Sequence, residues 1–121
     1  MTKRILIVED QEDNRQILGD LLKSAGYALI MAETGADAVR IAEAERPDLI
    51  LMDIQLPVMD GYEATRRIKA NAALAKIPII AVTSYALSGD EDKAKAAGCD
   101  GYVTKPYSPR QLLATVRGYL A

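Results

Sequence analysis

Polar side chains that could do chemistry stand directly after four short apolar runs of this 121-residue sequence. Asp53 is the most informative, because an aspartate that ends a buried apolar strand needs a partner or a function. Each of the others, taken alone, has an ordinary explanation as a helix cap, a turn residue or a surface lysine. The full set is Glu9, Asp10, Asp53, Thr83, Ser84 and Lys105. Only their meeting at one place would indicate a functional site.

The formal charges of this set predict a site for a metal ion and an anion. If the fold brought Glu9, Asp10 and Asp53 within several ångströms of one another, the three carboxylates would repel. Mg²⁺ would remove this conflict, because it favours oxygen ligands and keeps waters that a phosphoryl oxygen can replace. Three carboxylates, Lys105 and a divalent ion are together formally neutral. Such a pocket could admit an anionic phosphoryl group.

The apolar pattern predicts five strands that alternate with five helices. The run ILIV at 5–8 is aliphatic throughout, which is typical of a strand buried on both faces of a parallel sheet. Between residues 14 and 25 apolar side chains recur at helical spacing, and Gly26 follows as a helix stop. The predicted strands are 5–8, 28–32, 49–52, 79–82 and 101–104, and the predicted helices are 14–25, 35–45, 61–71, 89–97 and 108–120.

This order predicts an α/β fold, a (βα)5 doubly wound parallel sheet with helices on both faces, because βαβ units form right-handed crossovers. Residues 1–121 show no internal linker, so we expect a single domain. In such folds ligands bind beyond the carboxyl ends of the strands, where we expect the polar set to meet. The fourth helix has only alanines to bury and should be held weakly.

Composition narrows the functional classes. A formal net charge of -2 and a pI near 5.1 leave no basic stripe, which disfavours direct binding to nucleic acid. Cys99 is the only cysteine, and we expect its small side chain to be buried. Because a single cysteine cannot form an intrachain disulfide, we also expect a cytoplasmic protein. No apolar stretch is long enough to span a bilayer, and acidic residues come too early for a signal peptide. We therefore expect no membrane partner.

The sequence contains no histidine. It is therefore neither a histidine kinase nor a histidine phosphotransfer protein, and any phosphohistidine must belong to a partner. It also has no GxxxxGK[ST] loop and no protein-kinase signature set, so nothing predicts ATP binding.

Four segments resemble those of response-regulator receiver domains, which take part in two-component signalling. They are ILIVED at 5–10, LMDIQLPVMDG at 51–61, IIAVT at 79–83 and GYVTKP at 101–106. The resemblance covers the whole chain and implies the flavodoxin-like strand order 2-1-3-4-5. It also implies a cis peptide bond at Lys105–Pro106, a form that X-Pro bonds adopt at low cost.

The resemblance implies roles for the polar residues. Asp53 would be the phosphoacceptor, and Thr83 and Lys105 would be the other catalytic residues. The Mg²⁺ ligands would be Glu9, Asp10, Asp53 and the backbone carbonyl of Gln55. Thr83 and Tyr102 would form a switch that reports the phosphoryl group. Gln55 would also line the entrance to the site, together with Tyr85.

A phosphorelay function follows from the resemblance. The chain would accept a phosphoryl group from the phosphohistidine of a sensor histidine kinase or a histidine phosphotransfer protein. It would catalyse only its own phosphorylation and dephosphorylation, and would not otherwise be an enzyme. It would signal to a downstream protein target by phosphorylation-dependent contact. Because the sequence ends at Ala121, just after the fifth predicted helix, we expect output through contact rather than through an attached domain.

The sequence is also compatible with other functions. The chain resembles stand-alone phosphorelay receivers of the DivK type, but a receiver excised from a hybrid histidine kinase would have the same sequence features. So would a receiver-like interaction module that never carries phosphate. A flavodoxin-like cofactor binder is disfavoured, because the acidic residues in 9–13 would repel a phosphate. A phosphatase of the haloacid-dehalogenase type would carry a second acid where Gln55 stands.

Overall fold

The computed structural model describes residues 2–84 and 90–120, in which five strands alternate with five helices as predicted. The strands are β1 (Arg4–Val8), β2 (Ala28–Ala32), β3 (Leu49–Asp53), β4 (Ile79–Thr83) and β5 (Gly101–Thr104). The helices are α1 (Glu12–Ser24), α2 (Gly35–Glu45), α3 (Gly61–Ala70), α4 (Asp90–Ala97) and α5 (Pro109–Leu120).

The strands form one parallel sheet in the order β2-β1-β3-β4-β5. This is the flavodoxin-like order that the resemblance implied, and the α/β doubly wound architecture is confirmed. All residues of β3 and β4 are buried, which explains why these runs are apolar up to their last residue. Because the strands are parallel, their carboxyl ends lie along the same edge of the sheet.

Alternate strand residues pack against helices on opposite faces of the sheet. On one face, Leu6 and Ile50 belong to a buried cluster with residues of α2, α3 and α4. On the other face, Ile5 and Leu51 belong to a cluster with residues of α1 and α5. Full burial of one such side chain contributes about 1.5–3 kcal/mol relative to exposure. The two cores fix the sheet edge from which the polar residues project.

Several helix ends differ from the predicted ones by one or two residues. α1 begins at Glu12 rather than at 14, because Glu12 and Asp13 suit the positive end of a helix although they carry no apolar pattern. α5 begins at Pro109 rather than at 108, because the fixed φ of proline suits the first helical position. α1 and α3 each end one residue earlier than predicted, and the predicted last residues are their C-caps.

The fourth helix has little apolar surface to bury, as predicted. Of residues 91–97, only Ala94 and Ala97 are buried. Two methyl groups provide a small hydrophobic contribution beside those of the leucines and isoleucines in the cores. The predicted first residue of this helix, Gly89, lies outside the described residues.

Cys99 is buried, and no described helix is suited to cross a membrane. Cys99 is 7% exposed and its Sγ lies 3.8 Å from Oγ1 of Thr65, so it is the small buried side chain that was predicted. Burial raises the pKa of its thiol above the ordinary value. None of the helices in residues 2–84 and 90–120 combines the length and apolarity that a bilayer crossing requires.

Candidate functional site

The carboxyl ends of β1 and β3 bring three acidic side chains together. Glu9, Asp10 and Asp53 each present a carboxylate oxygen, and these oxygens all lie within 4.8 Å of one another. Glu9 is 1% exposed and Asp53 is 4% exposed, whereas Asp10 is partly buried. The predicted meeting of these carboxylates at one edge of the sheet is therefore present in the structure.

Lys105 joins this acidic cluster from the end of β5. Its Nζ atom lies 3.0 Å from Oε1 of Glu9 and 3.5 Å from Oδ2 of Asp53. Burial disfavours the ammonium, but the hydrogen bond to Glu9 and the charge of Asp53 outweigh it and raise the pKa of Lys105. Lys105 therefore stays protonated at neutral pH and offsets one of the three negative charges.

Asp53 is held at the end of β3 by backbone contacts on both sides. The backbone N–H of Gln55 donates to Oδ1 of Asp53 at 3.0 Å, and the N–H of Ile54 donates to the carbonyl of Val82 at 3.1 Å. The start of α3 packs directly on this strand end, since a Cβ atom at Gly61 would lie 2.3 Å from the carbonyl oxygen of Asp53. Asp60 caps α3 by accepting from the N–H of Glu63 at 2.9 Å.

The backbone of Glu9 is held in a contact that the sequence analysis did not predict. The guanidinium of Arg15 donates to the carbonyl oxygen of Glu9 at 2.9 Å and also pairs with Glu33 at 3.2 Å. Only one feature of the sequence pointed to this contact. Arg15 is a basic residue near the start of α1, where the helix dipole favours acidic residues.

The loops after β3 and β4 meet beside the acidic cluster. The hydroxyl of Ser84 donates a hydrogen bond to Oε1 of Gln55. Ser84 also lines a groove next to Glu9 and Lys105. The Gln55 side chain is therefore bound to a residue that lines this groove, whereas Tyr85 lies outside the described residues.

The two residues expected to form a switch lie on neighbouring strands. Thr83 is the last residue of β4, and its side chain is 1% exposed. Tyr102 is partly buried on β5 and packs against the core cluster that contains Ala94 of α4. The backbone N–H of Lys105 donates to the carbonyl of Thr83 at 2.7 Å, and the Lys105–Pro106 bond is cis, as the resemblance implied. β5 therefore contacts β4 on one side and, through Tyr102, the core cluster that includes Ala94 of α4.

The donor set of this cluster fits a hard divalent cation. All three ligand atoms are carboxylate oxygens, and Lys105 offsets only one of their three formal charges. Buried anions in excess of their cations are unfavourable without a further positive charge. Mg²⁺ has the charge and the preference for oxygen ligands that this arrangement calls for.

Comparison with known proteins decides the family. A family model for the response regulator receiver domain matches residues 5–117. The chain belongs to the response regulator receiver family. This receiver is 43% identical over 120 residues to the polar-differentiation response regulator DivK of Brucella ovis, across 99% of this chain and 98% of that protein.

Solved receivers have the same fold. The receiver domain of a sensor histidine kinase from Pseudomonas aeruginosa PAO1 superposes with a TM-score of 0.92 at 40% identity, covering 99% of this chain and 98% of that one. That structure is described as having a magnesium ion coordinated in its active site cleft. A CheY-like receiver domain protein from Methanospirillum hungatei JF-1 gives a TM-score of 0.90 at 34% identity, covering 99% and 94% of the two chains.

Membership of this family excludes the flavodoxin-like cofactor binder and the haloacid-dehalogenase phosphatase. It leaves open the choice between a stand-alone receiver and a receiver from a hybrid kinase. DivK is a response regulator, whereas the Pseudomonas domain belongs to a sensor kinase, and this receiver is similar to both.

Proposed function

We propose that this receiver accepts a phosphoryl group on Asp53 from the phosphohistidine of a partner protein and passes the signal on by protein contact. The observation that carries the proposal is the meeting of Glu9, Asp10 and Asp53 within 4.8 Å, with the Lys105 ammonium 3.5 Å from Asp53. A nucleophilic carboxylate, acidic metal ligands and a fixed cation are the groups that phosphoryl transfer to an aspartate requires.

In the proposed reaction a carboxylate oxygen of Asp53 attacks the phosphorus atom. An O–P bond forms, the P–N bond to the partner's imidazole breaks, and the bonding electron pair stays on the imidazole nitrogen. Lys105 stabilises the negative charge of the phosphoryl oxygens throughout. Glu9, Asp10, Asp53 and the carbonyl of Gln55 would hold Mg²⁺, which would supply positive charge beside the transferring phosphoryl group. Hydrolysis of the acyl phosphate by water then regenerates the Asp53 carboxylate and releases inorganic phosphate.

The signal would travel through the last residues of β4 and β5. Thr83 would hydrogen-bond a phosphoryl oxygen, and Tyr102 would turn further inward in response. α4 could then repack at low cost, because Ala94 and Ala97 are the only buried residues in its described segment 91–97. A change from mostly inactive to mostly active needs roughly 5 kcal/mol of differential stabilisation.

The remaining parts of the proposal concern its cellular setting. The donor would be a sensor histidine kinase or a histidine phosphotransfer protein, and the output would be a downstream protein target. The chain would act as one domain over residues 1–121 and would catalyse only its own phosphorylation and dephosphorylation. A cytoplasmic location fits these partners.

Phosphorylation by phosphoramidate tests the proposal, because its P–N bond resembles that of phosphohistidine. With Mg²⁺, intact-mass measurement should show one added phosphoryl group on the wild type and none on Asp53→Asn. Asp20→Asn, a change to an exposed aspartate of α1, is the matched control and should be labelled normally. Chelation of Mg²⁺ should prevent labelling of the wild type. Undiminished labelling of Asp53→Asn would overturn the proposal.

A further inference from the structure

Arg15 occupies an unusual place for a cation. It is the fourth residue of α1, near the positive end of the helix dipole, where a basic side chain gains no stabilisation from the dipole. Its side chain is nevertheless only 15% exposed, although a guanidinium loses hydration when it is covered. Tertiary contacts must therefore compensate for this placement.

Those contacts are made to the acidic cluster and to the loop after β2. One nitrogen of the guanidinium, Nη1, donates to the carbonyl oxygen of Glu9 at 2.9 Å. The other, Nη2, pairs with Oε1 of Glu33 at 3.2 Å. The N–H of Glu9 donates to the carbonyl of Ala32 at 3.1 Å, so the backbone of Glu9 is held from both sides.

The carbonyl that Arg15 binds belongs to the peptide group between Glu9 and Asp10. This group is planar, so a contact that fixes its carbonyl also fixes the direction in which the chain continues to the Cα atom of Asp10. The relative position of the Glu9 and Asp10 carboxylates depends on that direction. Arg15 therefore contacts the one backbone group that both acidic side chains share.

We infer that Arg15 is a positioning residue for the metal site: it orients the Glu9–Asp10 peptide so that the carboxylates converge on one cation. This inference rests on the proposed function, because it takes the acidic cluster to be the Mg²⁺ site. Outer contacts of this kind typically change metal affinity by about 10–100-fold when they are removed.

Electrostatics alone and positioning predict opposite changes in Mg²⁺ affinity when Arg15 is removed, so a binding measurement distinguishes them. A cation beside an acidic cluster repels Mg²⁺, so its removal alone should tighten Mg²⁺ binding. Positioning predicts weaker binding, because the freed peptide group lets the carboxylates separate. The double variant Arg15→Ala/Glu33→Gln removes one positive and one negative charge and so separates geometry from net charge.

Arg15→Lys supplies a second, conservative test. A guanidinium presents several N–H donors in a rigid plane and can serve the Glu9 carbonyl and the Glu33 carboxylate at once. An ammonium on a flexible chain keeps the charge but not this fixed geometry. We therefore expect Arg15→Lys to have an intermediate affinity for Mg²⁺.

The experiment is isothermal titration calorimetry with Mg²⁺ alone, well below the melting temperature of each variant. We expect Arg15→Ala and the charge-matched double variant to bind Mg²⁺ about tenfold more weakly than the wild type. Arg66→Ala, which removes an exposed arginine paired with Glu63 on α3, should leave the affinity unchanged. Thermal melting of the same proteins gives the loss of stability separately, and a role in folding alone would lower the melting temperature without lowering the affinity.

The outcomes distinguish the inference from the proposed function. If the wild type fails to bind Mg²⁺, the proposed function itself is overturned. If the wild type binds Mg²⁺ and both Arg15 single variants bind it as tightly or more tightly, only the inference is overturned. Weaker Mg²⁺ binding by a folded Arg15→Lys supports the inference even where Arg15→Ala unfolds, because Arg15→Lys keeps the charge and does not contain the alanine substitution.

Discussion

The ammonium nitrogen of Lys105 lies 3.0 Å from Oε1 of Glu9, a carboxylate with 1% of its side chain exposed. This ion pair joins the end of β5 to the end of β1 across 96 positions of sequence. It follows that Lys105 supports the fold as well as the proposed chemistry.

Replacing Lys105 should destabilise the chain when Mg²⁺ is absent. Lys105→Met leaves the buried carboxylate of Glu9 without its cation, which should reduce the free energy of unfolding by about 1–3 kcal/mol. Urea denaturation measures this change. Lys3→Met, at an exposed position before β1, is the control and should change the free energy by less than about 0.5 kcal/mol. Equal stability of Lys105→Met and wild type would contradict the structural role of the pair.

The contribution of Lys105 should disappear at high pH. Its pKa is raised in the folded chain, because the hydrogen bond to Glu9 and the charge of Asp53 outweigh the opposing effect of burial. A group whose folded pKa is raised stabilises the fold fully below its unfolded pKa, about 10.4 for lysine, and loses that contribution as the pH rises through the folded pKa. The difference in unfolding free energy between wild type and Lys105→Met should therefore be constant from neutral pH to roughly 10 and shrink above it. A difference that shrinks below pH 9 would point to another group.

Gly61 should tolerate no side chain, because α3 begins against the strand that carries Asp53. A Cβ atom there would lie 2.3 Å from the carbonyl oxygen of Asp53 and 2.7 Å from Cα of Ile54. Gly61→Ala must therefore move backbone, at a cost of about 1–3 kcal/mol or more, and should also slow phosphoryl labelling. Gly118→Ala is the control: among residues 2–84 and 90–120, no atom outside the backbone of α5 and the neighbouring residues lies within 4 Å of a Cβ at Gly118, so alanine should stabilise α5 by about 0.5–1 kcal/mol. Chemical denaturation of the two variants should give changes of opposite sign.

Much of the fold could be predicted because the buried strands are apolar along their whole length. The runs at 49–52 and 79–82 have no polar residue to suggest a solvent-facing side, and the structure buries both. The carboxylate cluster could be predicted because Glu9, Asp10 and Asp53 each follow such a run. Parallel strands then bring their ends to one edge of the sheet.

Features that depend on how loops pack could not be predicted in the same way. Arg46 ends α2 in the left-handed region, with φ of 47°, where glycine is the usual residue. The contact of Arg15 with Glu9 and Glu33 joins two loops whose relative position follows from the complete sheet. No local pattern of residue types encodes the conformation of Arg46, and the position of Arg15 near a helix start does not identify its partners.

Val58 is held in an unfavourable conformation close to the site, and its replacement should stabilise the chain. Its φ is 67°, its side chain is fully exposed, and the N–H of Met59 donates to the carbonyl of Pro57 across it at 2.8 Å. A β-branched residue in this region is strained by about 1–3 kcal/mol. Val58→Gly relieves the strain and loses about 0.4–1 kcal/mol through greater freedom of the unfolded chain.

We expect a net stabilisation of about 0.5–1 kcal/mol for Val58→Gly, seen as a higher melting temperature. Ala72 is an exposed loop residue without positive φ. Ala72→Gly therefore relieves no strain and only increases the freedom of the unfolded chain, so it should lower the melting temperature. A fall in melting temperature for both variants would show that Val58 is not strained.

The hydrogen bond between Ser84 and Gln55 should slow hydrolysis of the proposed acyl phosphate. It joins the loops after β4 and β3, and the backbone of Gln55 also donates to Asp53 at 3.0 Å. Ser84→Ala frees the Gln55 side chain and opens the approach for water. A net hydrogen-bond contribution of about 0.5–1.5 kcal/mol corresponds to hydrolysis that is roughly two- to tenfold faster.

A double-mutant cycle identifies the cause of that acceleration. If the contact itself restricts water, Gln55→Ala and Ser84→Ala should each shorten the phosphoryl lifetime, and the double variant should hydrolyse no faster than the faster single variant. Ser24→Ala, at the exposed end of α1, should keep the wild-type lifetime. Time-resolved intact-mass measurement after removal of phosphoramidate gives each lifetime. If the double variant instead shortens the lifetime by the product of the two single effects, Gln55 and Ser84 act independently. Two side chains that act through one shared contact would not give this product, because either substitution alone already removes the contact.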